Sequence, residues 1–431
     1  MTEASLNKPL ALRSLDAVWH PCTQMARAQH VPPLPILRGE GPWLFDAEGK
    51  RYFDANSSWW VNLFGHAHPE INAAIKHQLD TLPHVMLAGC THEPAVELAE
   101  RLSARTGQAL GHVFFASDGA SAVEIALKQS FHSWRNQGQS LRREFVCLKN
   151  GYHGETIGAL AVTDVAVFRD AYDPLLMRSH IVESPDSRLG NEDAAMDALR
   201  RLLDERGEHI AAVILEPLVQ GAAGMVMHSP QYLRRVRALT REFGIHLIAD
   251  EIAVGCGRTG SFFAWEQVDT KAWPDFVTLS KGITGGTLPL SLVLTTEEVY
   301  RAFWSEDVAR GFLHSHSYTG NALACTAANA VLDRFDAGQV SDTGVAHLHL
   351  HNGLLARSQP CLADQPRPHR RSGWPATSQA PAGTATPIAR WLNTSTEPPC
   401  PYGLATDQFT HAGATADCWF QRCHHGIVFS T

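Results

Sequence analysis

No stretch of this 431-residue sequence is apolar for long enough to cross a membrane. Residues 1–15 lack a long apolar segment and a small-residue cleavage site, so no signal peptide is expected. Basic blocks are missing too. Lys and Arg number 36 against 44 Asp and Glu, for a net charge of -8. That balance predicts neither nucleic acid nor membrane as a partner. The nine cysteines are odd in number and scattered, which argues against a disulfide framework and for reduced thiols in a soluble cytosolic protein. What is plentiful is apolar side chain: the 44% hydrophobic content is enough for one large domain and a smaller one.

The chain is organised around Phe276-Val277-Thr278-Leu279-Ser280-Lys281-Gly282. A short apolar run stops at a lysine, which predicts a buried strand of a parallel sheet with an amine at its carboxyl end. Upstream, Ile245-His246-Leu247-Ile248-Ala249 predicts a second such strand, ending in Asp250-Glu251. Open α/β sheets bind ligands at that edge. Burial disfavours a charged lysine, and a neutral lysine condenses with aldehydes. An amine for an aldehyde and a carboxylate for a ring nitrogen are what pyridoxal phosphate requires. A lysine that merely reaches solvent from a strand end is the competing reading.

Other stretches point to the same edge. Val113-Phe114-Phe115-Ala116 predicts a strand, Ser117-Asp118-Gly119-Ala120-Ser121 a turn, and residues 122–134 a helix. That order aims backbone N–H groups at a phosphate. Residues 144–148 predict a strand leading into Asn150-Gly151-Tyr152-His153-Gly154-Glu155-Thr156, where either Tyr152 or His153 is suited to stack on a flat ring. A strand over 211–215 ends at Glu216-Pro217 and is followed by a glycine-rich loop. Gly255-Cys256-Gly257-Arg258-Thr259-Gly260 carries one fixed charge, suited to an anion or a subunit contact. In His314-Ser315-His316-Ser317-Tyr318-Thr319-Gly320-Asn321, hydroxyl and imidazole donors cluster before a small-residue helix over 322–335.

Nearer the start, Trp43 to Asp54 predicts a hairpin around Glu48-Gly49. In Asn56-Ser57-Ser58-Trp59-Trp60-Val61-Asn62, neighbouring tryptophans on a strand face opposite sides, so one is expected in the core and one at a cavity. After about Ser341 the composition shifts to Pro, His, Thr, Ala, Cys and Trp, and helical or strand periodicity fades. Cys418, Cys423, His424 and His425 fit no zinc spacing, so no metal site is expected.

Together, residues from about Trp19 to Phe335 resemble the class III, fold-type I pyridoxal-phosphate aminotransferases. The resemblance rests on Trp19-His20-Pro21-Cys22-Thr23-Gln24-Met25, Ser57-Ser58-Trp59-Trp60-Val61-Asn62, Asn150 to Thr156, Asp250-Glu251-Ile252-Ala253, Gly257-Arg258-Thr259-Gly260, Ser280 to Gly286 and His314 to Asn321, in that order. It implies an α/β fold with a large domain of mostly parallel sheet flanked by helices, and a smaller domain. It implies pyridoxal 5'-phosphate on Lys281, which also shuttles a proton, with Asp250 at the pyridine nitrogen and Tyr152 against the ring. Gly119 and Ala120 would bind the phosphate by backbone, joined by His316 and Ser317 from the partner of a homodimer. Trp59, Tyr152, Lys281, Ser315 and Cys22 would meet the substrate. Among members, the motifs most resemble enzymes that move the amine of S-adenosylmethionine to 8-amino-7-oxononanoate in biotin synthesis.

The implied organisation is an N-terminal segment over 1–65, a large cofactor domain over 66–335, and an atypical region over 336–431. The family's small domain should supply an arginine for the substrate carboxylate, and the sequence after about 341 offers no pattern for it. A shift of reading frame there is the expected cause. Two alternatives follow: another class III enzyme acting on ω-amino acids or diamines, or an inactive copy without a functional C-terminal domain.

Overall fold

The computed structural model describes residues 9–338. The expected atypical region beyond residue 338, with the arginine sought there and the Cys418, Cys423, His424 and His425 group, lies outside the described residues. Three strands, β1 (Ile36–Glu40), β2 (Trp43–Asp46) and β3 (Arg51–Phe53), form an antiparallel sheet. The hairpin of β2 and β3 matches the sequence reading, whereas β1, mostly exposed, has no clear alternation and was not foreseen. Asp46 locks the turn by accepting hydrogen bonds from the Glu48 and Lys50 N–H groups and from the Tyr52 hydroxyl.

The main sheet has seven strands. In chain order they are β4 (His112–Ala116), β5 (Glu144–Leu148), β6 (Ser179–Val182), β7 (Ile210–Leu215), β10 (His246–Asp250), β11 (Phe276–Leu279) and β12 (Ser291–Thr295). Two short strands, β8 (Val219–Gln220) and β9 (Val226–Met227), pair separately. The spatial order is β4-β12-β11-β10-β7-β5-β6. Every pair is parallel except those of β12, which runs against both β11 and β4. β7, β10, β11 and β12 are buried along their whole length, as continuous apolar runs in covered sheets should be.

Helices cover the sheet. Gly119–Asn136 begins three residues after β4 and buries Val123, Ile125, Ala126 and Leu127. Pro230–Glu242 leads into β10, capped by the Ser229 hydroxyl on the Tyr232 N–H. Ala322–Asp336 packs its small residues against Pro69–Thr81 and Glu93–Arg105. Because β4, β5, β7, β10 and β11 all point the same way, their carboxyl ends share one edge. Register puts Asp250 directly beside Thr278, three residues before Lys281.

Candidate active site

Asp250 ends β10 with only 3% of its surface exposed. Its Oδ2 accepts a hydrogen bond from His153 Nδ1 at 2.7 Å, and its Oδ1 accepts from the Ile252 N–H and the Thr278 hydroxyl, both at 3.1 Å. Three donors from three elements fix the plane of this carboxylate. Oδ2 has one donor and keeps acceptor capacity for another.

Lys281 does not extend β11. It opens a short 3-10 turn, Lys281–Thr284, with φ of +47°. The reversal continues through Gly286 at φ +83°, where an added Cβ would stand 3.0 Å from Asn62 Cα and from the Val61 carbonyl carbon. Glycine is required because residues 61 and 62 cross directly over it. The Lys281 amine lies 5.7 Å from the centre of the Trp60 ring. Burial pulls its pKa below the usual lysine value, against the carboxylates of Asp250 and Glu216, which favour the charged form; the Arg258 guanidinium adds to the depression.

Glu216 follows β7 and is buried. Its two oxygens accept the N–H groups of Tyr152 (3.2 Å) and Gly221 (3.0 Å). Burial raises its pKa to about 7, with the Asp250 carboxylate adding and His153 opposing. The Tyr152 hydroxyl donates to Glu155 at 2.9 Å, and burial and that carboxylate push the phenol pKa up. Cys22 is half-buried, and burial followed by the Glu155 charge raises its thiol pKa. Cys22, Tyr152 and Glu155 therefore share one electrostatic neighbourhood.

At the start of helix Gly119–Asn136, Asp118 accepts the Ser121 N–H at 2.9 Å. The N–H groups of Gly119 and Ala120 have no carbonyl one turn earlier to bond, which makes this end an anion site. Gly154, at φ +124°, passes so close that an added Cβ would lie 2.6 Å from Ala120 Cβ. His316 Nδ1 is 3.1 Å from Ser117 Oγ, two residues before Gly119. The Ser317 carbonyl accepts from His84 Nε2 at 2.9 Å, and Ser315 is exposed.

The paired tryptophans correct the expectation of a strand. Ser57, Ser58, Trp59 and Trp60 have φ of 52°, 49°, 71° and 63°, so the segment is a left-handed turn. Such a conformation costs roughly 1–2 kcal/mol per non-glycine residue. Trp59 is 49% exposed, and Trp60 is the one beside Lys281. The Trp60 carbonyl accepts from Arg258 Nη2 at 2.8 Å, while burial lowers that guanidinium's pKa to about 10.

The structure thus gathers Lys281, Asp250, Tyr152 and the Gly119–Ala120 turn on one edge. It also shows three contacts the sequence did not suggest: His153, read as suited to stack on a ring, bonds Asp250; Glu216 accepts the Tyr152 N–H; and Arg258, read as suited to an anion or a subunit contact, bonds the Trp60 carbonyl. Only the position of Glu216 and His153 just past strand ends could have signalled them.

A family model described as "Aminotransferase class-III" matches residues 24–356. The chain belongs to the class-III aminotransferases. A class-III relative, the adenosylmethionine-8-amino-7-oxononanoate aminotransferase of Helicobacter pylori, is 46% identical over 339 residues, 78% of this chain and 77% of that protein. The crystal structure of the Methanocaldococcus jannaschii enzyme of the same name is 37% identical with a TM-score of 0.76, covering 81% of this chain and 80% of that one. An amine transaminase from an uncultivated Pseudomonas species, solved in its PLP-bound form, is 31% identical with a TM-score of 0.73, covering 79% and 80%. Pyridoxal 5'-phosphate is the cofactor of class-III aminotransferases, and the donor set here fits it: an amine with a lowered pKa, a carboxylate with one free acceptor site, and a helix start with unbonded N–H groups.

Proposed function

We propose that this chain transfers the amino group of S-adenosylmethionine to 8-amino-7-oxononanoate, giving 7,8-diaminononanoate in biotin synthesis. One observation carries the chemistry: a lysine amine with a depressed pKa stands on the same sheet edge as the buried Asp250 carboxylate. The substrate pair is supported by relatives that bear it in their names at 38–46% identity.

When bound, the cofactor supplies an aldehyde for amines and a ring that takes up the electron pair left at the substrate's Cα. Lys281 would hold that aldehyde. Its Nζ, neutral at a lower pH than an exposed lysine, would take the proton from the substrate's Cα and deliver it to the carbon that carried the cofactor's aldehyde. Asp250 would keep a proton on the ring nitrogen, oriented by His153 and Thr278. Gly119 and Ala120 would bind the phosphate through their N–H groups. Tyr152 would lie against the ring, with Trp59, Cys22 and Ser315 bordering the substrate. His316 and Ser317 would reach the phosphate from a second copy, making the working unit a homodimer. The amine moves in two half-reactions at one site, so ping-pong kinetics are expected.

The direct test is purification with added cofactor and mass-spectrometric detection of 7,8-diaminononanoate. Product with S-adenosylmethionine as donor supports the reading. Product only with amines or ω-amino acids favours the second reading, an amine transaminase, which the likeness to the Pseudomonas enzyme supports. A shifted reading frame within 336–431 is supported by the change in composition after about Ser341; because the family match runs to residue 356, the shift would fall beyond that point. Resequencing the gene tests it: a clean read with no family-like C-terminus in another frame removes it. An active protein removes the alternative of an inactive copy.

A further inference from the structure

The left-handed turn at Ser57–Trp60 contains no glycine, yet four successive residues hold positive φ. Backbone of that kind persists only where its surroundings over-determine it. Asp54 supplies the restraint at one end. Its Oδ1 accepts the Ser58 N–H at 2.9 Å, and its Oδ2 accepts the Ser58 hydroxyl at 2.7 Å and His66 Nε2 at 2.8 Å. The Asp54 side chain is only 6% exposed.

His66 is itself anchored. It exchanges both backbone hydrogen bonds with Gly41, and a Cβ added at Gly39 in β1 would come within 2.6 Å of His66 Cβ. The restraint therefore runs from the β1 edge through His66 and Asp54 into the turn. At the far end, Arg258 holds the Trp60 carbonyl. Between these anchors sits the ring beside the Lys281 amine.

We propose that Asp54, braced by His66, is a positioning residue that keeps the Ser57–Trp60 turn left-handed and thereby holds the Trp60 ring at the Lys281 amine. It touches neither the amine nor any other group assigned to the cofactor. The consequence for turnover rests on the aminotransferase reading; the conformational role does not.

Hydrogen exchange by mass spectrometry on the full chain, without cofactor, reads the turn directly over residues 56–63. Asp54→Ala is expected to speed exchange there about tenfold, the scale set by losing hydrogen bonds to a charged group. Adding Ser58→Gly to that variant should slow it again, because glycine accepts a left-handed φ without strain. In the loaded enzyme, Asp54→Ala should raise KM for the oxo acid more than it lowers kcat, and Ser58→Gly should reverse this. Where Asp54→Ala does not fold, Ser58→Ala against Ser58→Gly makes the same comparison, with faster exchange expected only for alanine. Unchanged exchange in Asp54→Ala, failure of glycine to restore it, or equal exchange in Ser58→Ala and Ser58→Gly would overturn the proposal. A wild-type protein that loads cofactor but never transaminates would remove the functional reading and leave the exchange result to decide on Asp54.

Discussion

His153 Nδ1 and Asp250 Oδ2 stand 2.7 Å apart, with both residues buried and the imidazole's other nitrogen without a hydrogen-bond partner among the described residues. The histidine reaches this place from the loop after β5, across the sheet from β10. An imidazole with one bonded nitrogen donates to the carboxylate and fixes its plane. Hydrogen bonds to a charged group contribute about 1.5–3 kcal/mol. Replacing His153 with alanine should therefore lower kcat by roughly 10- to 100-fold, with little change in KM. Steady-state kinetics check this; a purely structural histidine would lower the melting temperature and leave kcat per folded molecule intact.

Glu251 has a different task from its neighbour. It caps the turn at Ala264–Gln267 by accepting the N–H groups of Ala264 and Trp265 at 2.7 and 2.8 Å. Burial raises its pKa to about 8. A carboxyl whose folded pKa exceeds its unfolded value contributes stability below the unfolded pKa and loses it as pH rises through the folded one. Wild type should thus lose stability relative to Glu251→Gln between pH 4.5 and about 8, by on the order of a few kcal/mol. Denaturant midpoints across that range read the difference, and a flat difference would refute the shift.

Gly154 lets the Tyr152 loop pass the start of the phosphate-facing helix. Gly154→Ala would bring Cβ to 2.6 Å from Ala120 Cβ at a φ of +124°. Overpacking of this kind costs about 1–3 kcal/mol. The nearest element to give way is the helix start, so cofactor affinity should fall along with stability. Absorbance titration with pyridoxal phosphate measures it; unchanged affinity would show that the Gly119–Ala120 turn does not hold the phosphate.

Much of the sheet was legible because buried parallel strands are written as continuous apolar runs. β5 begins and ends where its apolar run does, β10 is displaced by one residue, and β11 stops at Leu279, short of the lysine expected at its end. Lys281 and Asp250 were legible for the same reason, as polar residues at the ends of such runs. The left-handed turn was not. Ser57–Trp60 has no glycine or asparagine to announce positive φ, and its shape depends on Asp54, His66 and Arg258, which are distant or unremarkable in sequence. Glu216 was visible only as an acid after a strand. Its bonds go to backbone N–H groups on two loops, which no side-chain pattern encodes. β12 escaped because an antiparallel strand between parallel neighbours carries no signal of its direction.

The most direct measurement is borohydride reduction of the protein loaded with pyridoxal phosphate, followed by peptide mapping. A stable cofactor adduct on Lys281, absent in Lys281→Ala and present in the exposed-site control Lys271→Ala, is the expected result. An adduct on another lysine, or none at all in folded protein, would contradict the assignment of this edge as the catalytic one.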